Sequence, residues 1–189
     1  MKILCAEYNP EGQVSVVPVG DNALLRNNDD FYLPEFAGGL CCVPQLVLRI
    51  CKLGKSVGER FAGRYFEEVG VGIRFYAEHF EKQLQESGLP AGMASSFDGS
   101  AAISALLPKE ECGGTEYAFR VNGETVYEGS FGELPCSVEH LLSFASDFYT
   151  LKIGDFLFCG NRFRYRGLKE GDRLQVCFRG KEWMNFKLK

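Results

Sequence analysis

No stretch of this chain approaches the ~20 consecutive apolar residues that a membrane-crossing helix needs. The N-terminus, Met1-Lys2-Ile3-Leu4-Cys5-Ala6, meets Glu7 before any signal-peptide core can form. Eight cysteines are present, yet none forms a Cys-x-x-Cys pair, and the only close pair, Cys41-Cys42, is adjacent. That spacing argues against a zinc site or a disulfide framework, so buried reduced thiols in the cytoplasm are expected. Histidine is nearly missing: His79 and His140 stand alone, and both fall on predicted helices. Two such residues leave little room for a Ser-His-Asp or Cys-His arrangement. A basic excess is absent as well, because the net charge is −4. No field draws the protein to nucleic acid or an anionic membrane.

What the chain has is aromatic side chains, 13% of its 189 residues, with 16 of them Phe. Flat rings pack well on pleated sheets, so the core is expected to be rich in β-structure. No change of composition divides the sequence, and one domain over residues 1–189 is expected. Val14 to Val19 reads as a strand that Pro18 would place at a sheet edge. Asn27-Asn28-Asp29-Asp30 is turn chemistry, with side chains able to bond to their own backbone. Leu46 to Ile50 reads as a buried strand. Residues 59 to 87 lean to helix, with Ile73, Ala77, Phe80 and Leu84 near helical spacing and a stop at Gly88 and Pro90.

The second half is plainer. Asn122-Gly123 between Tyr117–Val121 and Thr125–Ser130 is a strong hairpin signal, since both residues tolerate positive φ. Ser137 can cap a helix whose apolar positions are Val138, Leu141, Leu142, Ala145 and Phe148. Leu-Lys-x-Gly-Asp occurs twice, at 151–155 and 168–172, and each copy leads into an apolar strand. A structural role is expected for both: Gly supplies the turn and Asp holds it. Lys181-Glu182 is expected to close a last hairpin, with Trp183 to Leu188 as the final strand. Arg162-Phe163-Arg164-Tyr165-Arg166 could form an anion-binding rim, since guanidinium forks suit carboxylates. The favoured account is an edge strand with cations outward and rings inward. Neither Gly70-Val71-Gly72 nor Gly113-Gly114 makes a phosphate-binding fingerprint.

Val121-Asn122-Gly123-Glu124, Leu151 to Gly160 and Leu168-Lys169-Glu170-Gly171-Asp172, in that order, resemble the C-terminal half of the fumarylacetoacetate hydrolase family. Upstream, Leu46 to Val57 resembles the family's E-x-E-L strand and G-K-x-V turn. Tyr65 to Phe75 resembles its N-D and A-R-D segment, and Ser95 to Asp98 its K-x-F-D. The resemblance implies an α+β, mainly β fold, a mixed β-sandwich roll with flanking helices, and a homodimer. It also implies a magnesium, calcium or manganese ion held by two Glu and one Asp, hard oxygen ligands suited to such cations. That ion would polarise an acylpyruvate-like 2-oxo acid for C–C hydrolysis, decarboxylation or isomerisation.

Laid on this pattern, the two Glu positions fall on Val43 and Gln45, the Asp on Gly70, the Lys on Ser95 and the second Thr of T-G-T on Asn161. Arg74 keeps the Arg of A-R-D, and Asp98 the Asp of F-D. Phe36 to Gly58 contains no Asp or Glu at all, so a shifted alignment does not restore the ligands. No metal cofactor is therefore expected. Glu67, Glu68 and Asp98 remain as candidate catalytic acids. Arg74, Asp98, Asn161, Arg162 and Arg164 are candidate contacts for a small carboxylate ligand. Cys41 and Cys42 beside the lost ligands could suit a softer metal, although a buried pair in a strand is the commoner arrangement. Three functions follow: a non-catalytic binding or partner subunit, which is favoured; an enzyme on 2-oxo acids with a rebuilt site; or a small-anion-binding protein. Val43 and nearby Phe side chains are expected to fill the metal position, with Asp98 in solvent or paired with Arg74.

Overall fold

The computed structural model describes residues 1–26, 28–112 and 116–189, with Phe131 described by its backbone alone. Asn27, read above as a turn residue, and Gly113 and Gly114, weighed above as a phosphate-binding fingerprint, lie outside the described residues. In chain order the strands are β1 (Lys2–Tyr8), β2 (Val14–Gly20), β3 (Leu24–Leu25), β4 (Leu40–Ile50), β5 (Phe66–Tyr76), β6 (Ala101–Ile103) and β7 (Leu107–Pro108). They continue with β8 (Glu116–Val121), β9 (Glu124–Ser130), β10 (Phe156–Phe158), β11 (Tyr165–Leu168), β12 (Arg173–Phe178) and β13 (Lys181–Lys187). The α-helices are α1 (Glu59–Ala62), α2 (Glu78–Glu86) and α3 (Val138–Phe148). Strands dominate, as the aromatic content suggested.

One sheet runs β2-β1-β10-β4-β5-β6-β3, with β11 added to β4 and β7 to β5; a second runs β13-β12-β8-β9. The β1–β10 and β3–β6 pairs are parallel. Alternation along β4 and β5 sends side chains to two faces. Leu40, Cys42, Leu46, Leu48 and Ile50, with Val69, Val71, Ile73 and Phe75, join the main core beneath the second sheet and α3. Val47 points the other way, to Ile3, Cys5, Phe156 and Phe158. The candidate site lies on this second face.

Several local readings hold. Val14 to Val19 lies in β2, whose sheet neighbour is β1 alone, and Pro18 sits opposite Leu4 at that edge. Asn122 and Gly123 have φ of +54° and +86° and close the β8–β9 hairpin. Ser137 Oγ accepts the His140 N–H at 3.1 Å and caps α3. Leu141, Leu142 and Ala145 are buried as expected, but Phe148 is 64% exposed.

Others need correction. Residues 66 to 76, expected to be helical, form β5, because Val69, Val71, Ile73 and Phe75 alternate with period two and Gly70 and Gly72 disfavour a helix. Between residues 59 and 87 helix is confined to α1 and α2, and the chain leaves α2 at Gly88 with φ +68°. The last hairpin turns at Arg179-Gly180, not Lys181-Glu182, since those two carry positive φ and Lys181 already pairs with Phe178. Around Asn28 the polar side chains bond across to β13: Asn28 Oδ1 accepts the Asn185 N–H and Asp30 Oδ1 the Lys187 N–H.

The Leu-Lys-x-Gly-Asp repeat is a matched pair of turns. Gly154 and Gly171 adopt φ of +86° and +89°. In each, the Asp carboxylate accepts the N–H three residues back: Asp155 from Lys152 at 2.8 Å and Asp172 from Lys169 at 3.0 Å. Asp155 also accepts the Lys2 N–H at 2.9 Å and pairs with the Lys2 ammonium, so it ties the start of β1 to β10. Asp172 instead accepts from Asn122 Nδ2 at 3.0 Å, joining the turn to the hairpin.

All eight cysteines are free; Cys5, Cys41, Cys42, Cys112 and Cys159 are buried, and Cys51, Cys136 and Cys177 partly exposed. Burial pushes the Cys5 thiol up to about 11, with Arg74 opposing it and Glu7 adding to it. Two outcomes are expected. Asp155→Ala should lower stability by about 2–3 kcal/mol in urea unfolding, more than Asp172→Ala, because it strips a buried carboxylate from an ammonium and backbone donors. A disulfide reagent at pH 7.5 should react in the native protein at Cys51, Cys136 and Cys177 at most, and at all eight thiols after unfolding.

Candidate functional site

Cys41, Val43, Gln45 and Val47 alternate onto the second face of β4, and the ladder sets Tyr76, Arg74, Gly72 and Gly70 opposite them in that order. The position facing Val43 is thus Arg74. Gly70 pairs with Val47 and lies ~13 Å along the strand from Arg74. A Cβ there would stand 2.8 Å from Leu106, so the position is packed against the 104–106 segment. The expected set of Val43, Gln45, Gly70 and Asp98 is therefore not assembled. Its place is taken by Val43, Gln45 and Arg74.

Arg74 is fully buried. Its Nη2 donates to the Ser95 carbonyl at 2.6 Å, and Nη1 donates to the Ser100 carbonyl and hydroxyl, each at 3.2 Å. Its Nε has no acceptor among the described residues. The guanidinium carbon lies 5.4 Å from the Tyr76 ring centre, and Arg164 covers the same ring at 4.6 Å. Burial works against the Arg74 charge, but Cys5, Tyr76 and Glu7 raise its pKa by more, and it stays a cation. Burial likewise pushes the Tyr76 phenol up. Val43 packs with Cys41 and Tyr76, not with the Phe side chains expected there.

Outside this layer, Glu78 accepts from Arg164 at 3.3 Å and from Arg166 Nε and Nη2 at 2.9 and 3.0 Å. Phe163 stacks on Tyr127 at 4.4 Å, and Tyr165 meets Phe119 edge-on. The 162–166 segment thus keeps its rings inward and its cations outward, while Glu78 occupies two of its three arginines. Arg162 is exposed and lies over Gly12 in the β1–β2 turn. Asn161 Nδ2 donates to the Pro44 carbonyl at 3.0 Å and to Tyr117 OH at 3.2 Å, and its Oδ1 accepts the Phe163 N–H. Its visible contacts anchor the loop. Gln45 Oε1 accepts the Gly160 N–H at 2.6 Å.

The candidate acids lie elsewhere. Glu67 and Glu68 sit at the far end of β5, ~20 Å along the strand from Arg74, where Glu68 pairs with Arg49 at 2.8 Å. Asp98 is exposed and accepts from Asn22 Nδ2 at 2.6 Å. It borders a groove with Tyr32, Phe36 and Phe97, so it faces solvent and does not pair with Arg74. Glu7, Tyr76 and Glu78 are the site residues that sequence reasoning missed. Period two along β1 carries Glu7 to the face of Ile3 and Cys5, a signal that could have found it. Cys41 reaches the site beside Arg164, whereas Cys42 points into the main core. The two thiols face opposite ways and cannot share a softer metal.

A hard dication needs about six oxygen ligands or more. Val43 offers none, the Gln45 oxygen is already engaged, and Arg74 is itself a cation. No three His, Cys, Asp or Glu side chains converge to hold an ion among the described residues. This donor set does not fit magnesium, calcium or manganese.

Residues 19–186 match the family described as fumarylacetoacetate (FAA) hydrolase C-terminal. The chain is 28% identical over 185 residues to the mitochondrial oxaloacetate tautomerase FAHD1 of Bos taurus, covering 96% of this chain and 76% of that protein. It is 30% identical over 164 residues to the oxaloacetate tautomerase YcgM of Escherichia coli (strain K12), covering 85% and 75%. Its fold superposes with a TM-score of 0.88 on the crystal structure of fumarylpyruvate hydrolase from Pseudomonas aeruginosa in complex with Mn2+ and pyruvate. That match has 20% identity and covers 100% of this chain and 89% of the other. The expected mixed β-roll is therefore the fold observed.

Glu78 supplies a pH test of the rim. Burial raises its carboxyl, but Arg166, Cys41 and Arg164 lower it by more, so it ends below its ordinary value of 4.5. A depressed folded pKa stabilises above the unfolded value and is lost as pH falls through the folded one. Glu78→Gln should cost about 1 kcal/mol at pH 7, a modest figure because the pair is partly solvated. The variant and the unmodified protein should converge in urea unfolding only as pH falls below 4.5 and through the lowered folded pKa.

Proposed function

The chain belongs to the fumarylacetoacetate hydrolase family, and from that premise we propose that it recognises a small 2-oxo acid of the acylpyruvate type without the family's divalent cation. It does so as a binding or partner subunit, not as a metal-dependent C–C hydrolase. The observation that carries this reading is the trio facing one another across β4 and β5: an apolar Val43, an engaged Gln45 and a buried guanidinium at Arg74. A carboxylate or enolate is the natural complement of a surplus cation in a dry setting. Arg164, partly exposed above Tyr76, gives that charge a rim. The missing carboxylates remove the means of holding a Lewis acid, and neither histidine is placed to activate water.

A catalytic reading is favoured by the two tautomerases, similar over most of this chain. Keto–enol exchange breaks no C–C bond and consumes no water. It needs a base that takes a proton from the carbon beside the keto group, a positive charge that steadies the enolate, and a proton returned to oxygen. Glu7 is a carboxylate close enough to Arg74 and Tyr76 to shift both of their pKa values. In this second reading Glu7 carries the proton and Arg74 steadies the enolate.

Calorimetric titration with oxaloacetate and with pyruvate, in EDTA and again with manganese, tests the proposal. Binding in EDTA is expected, unchanged within twofold by the metal. Binding that appears only with manganese, or none in either buffer, would overturn it. Enol absorbance followed in the same EDTA buffer separates the two readings. Decay accelerated by the protein and lost in Glu7→Gln makes it a tautomerase, and decay at the buffer rate makes it a binder.

A further inference from the structure

We infer that the Arg74 guanidinium stands in for the divalent cation, a covalently held positive charge at the point where carboxylates on β4 and β5 would otherwise enclose a metal. This goes beyond the reading above, because it concerns which group carries the charge and does not depend on the ligand. Residues i and i+2 of a strand share a face, so a pair of ligands at 43 and 45 must be completed from the positions paired with them. Those positions are Arg74 and Gly72. Gly72 has no side chain, and a Cβ there would stand 2.7 Å from Phe158 and from Val47. Arg74 is therefore the residue of β5 whose side chain meets the 43 and 45 positions.

Its environment resembles that of a bound cation more than that of a structural arginine. The hydrogen-bond partners are two backbone carbonyls and a hydroxyl, hard neutral oxygens. No carboxylate lies within ion-pair distance of Arg74 among the described residues. Val43 and Gln45, the neighbouring positions, are uncharged, which agrees with a fixed cation at 74. A carboxylate at 43 or 45 would attract a dication or a guanidinium, and a guanidinium held by carbonyl oxygens has no need of either. Val43 instead fills space against Tyr76.

Reversal tests the inference. Val43→Glu with Gln45→Glu, keeping Arg74, should form an internal ion pair and take up no manganese, seen as an undiminished free Mn2+ spin-resonance signal and an unchanged Tm. Adding Arg74→Asp should create a site that takes up one Mn2+ per chain at micromolar concentration and raises Tm. Should the double variant bind Mn2+ as tightly as the triple one, Arg74 does not hold the cation's place and the inference fails. It fails equally if the triple variant folds by circular dichroism and binds none, or if the unmodified protein binds Mn2+ at micromolar concentration. Where the triple variant does not fold, the double variant and the unmodified protein still decide, since manganese must leave the Tm of both unchanged. No 2-oxo acid enters these measurements, so their failure and that of the binding proposal are separate events.

Discussion

The site depends on the register in which β4 and β5 pair, from Cys41 opposite Tyr76 to Ile50 opposite Phe66. A slip of one residue would exchange the two faces of a strand. A slip of β5 would drive Arg74 into the main core and lift Ile73 and Phe75 out of it. Burial on both faces makes that slip costly, because β4 packs against the second sheet on one side and against Phe156 and Phe158 on the other. Gly72 lets Phe158 approach the ladder closely, since any side chain there would collide with it. With the register fixed, Arg74 has one place to go.

Placing a guanidinium there opposes folding. Removing an ion from water costs several kcal/mol, and the usual remedy is a carboxylate. Arg74 has instead three neutral acceptors and the face of Tyr76. Arginine tolerates this better than lysine would, because its charge is spread over a plane, weakly hydrated and able to lie on a ring. Arg164 and Glu78 extend the arrangement outward, so it runs from the buried cation through the Tyr76 ring to a second cation and then an anion near solvent. An apolar residue at 74 would fold at lower cost by the same reckoning. The expense points to a use for the charge that packing alone does not supply.

Much of the fold was legible in the sequence where a local rule had no rival. Asn122-Gly123 needs positive φ, Ser137 offers an oxygen to free N–H groups, and each Gly-Asp turn closes on itself within three residues. These signals are complete within a few positions. β5 was misread because Ile73, Ala77, Phe80 and Leu84 also fit a helical spacing. Only the pairing with β4 decides in favour of period two, and pairing is not local. The same lack of long-range information displaced the third ligand position. Counting along the chain put it at Gly70 and matched Arg74 to the Arg of A-R-D, whereas in the ladder the residue facing Val43 is Arg74 itself, four positions later. Asp98 failed for a related reason. It shares a loop with Ser95 and Ser100, which both bond to Arg74, but the loop presents their oxygens inward and the Asp98 carboxylate outward. The absence of acids between Phe36 and Gly58, by contrast, was fully legible and remains the firmest fact about the site.

That absence is more than a deletion. Three carboxylates around a dication leave one negative charge over, and such a site is held together by the metal it binds. Val43, Gln45 and Arg74 leave one positive charge over and are held together by the strands. The net charge of this face is thus opposite in sign to that of three carboxylates around a dication, with the Arg74 cation buried within it. An anionic ligand thus meets a stronger attraction than the bare trio of carboxylates could offer, and it meets it without a metal first being bound. What is given up is the Lewis acid's adaptable coordination. A guanidinium donates along fixed directions and cannot take two substrate oxygens and a water into one shell. For the proposed 2-oxo acid, this geometry suits recognition and, in the second reading, the movement of a proton between carbon and oxygen.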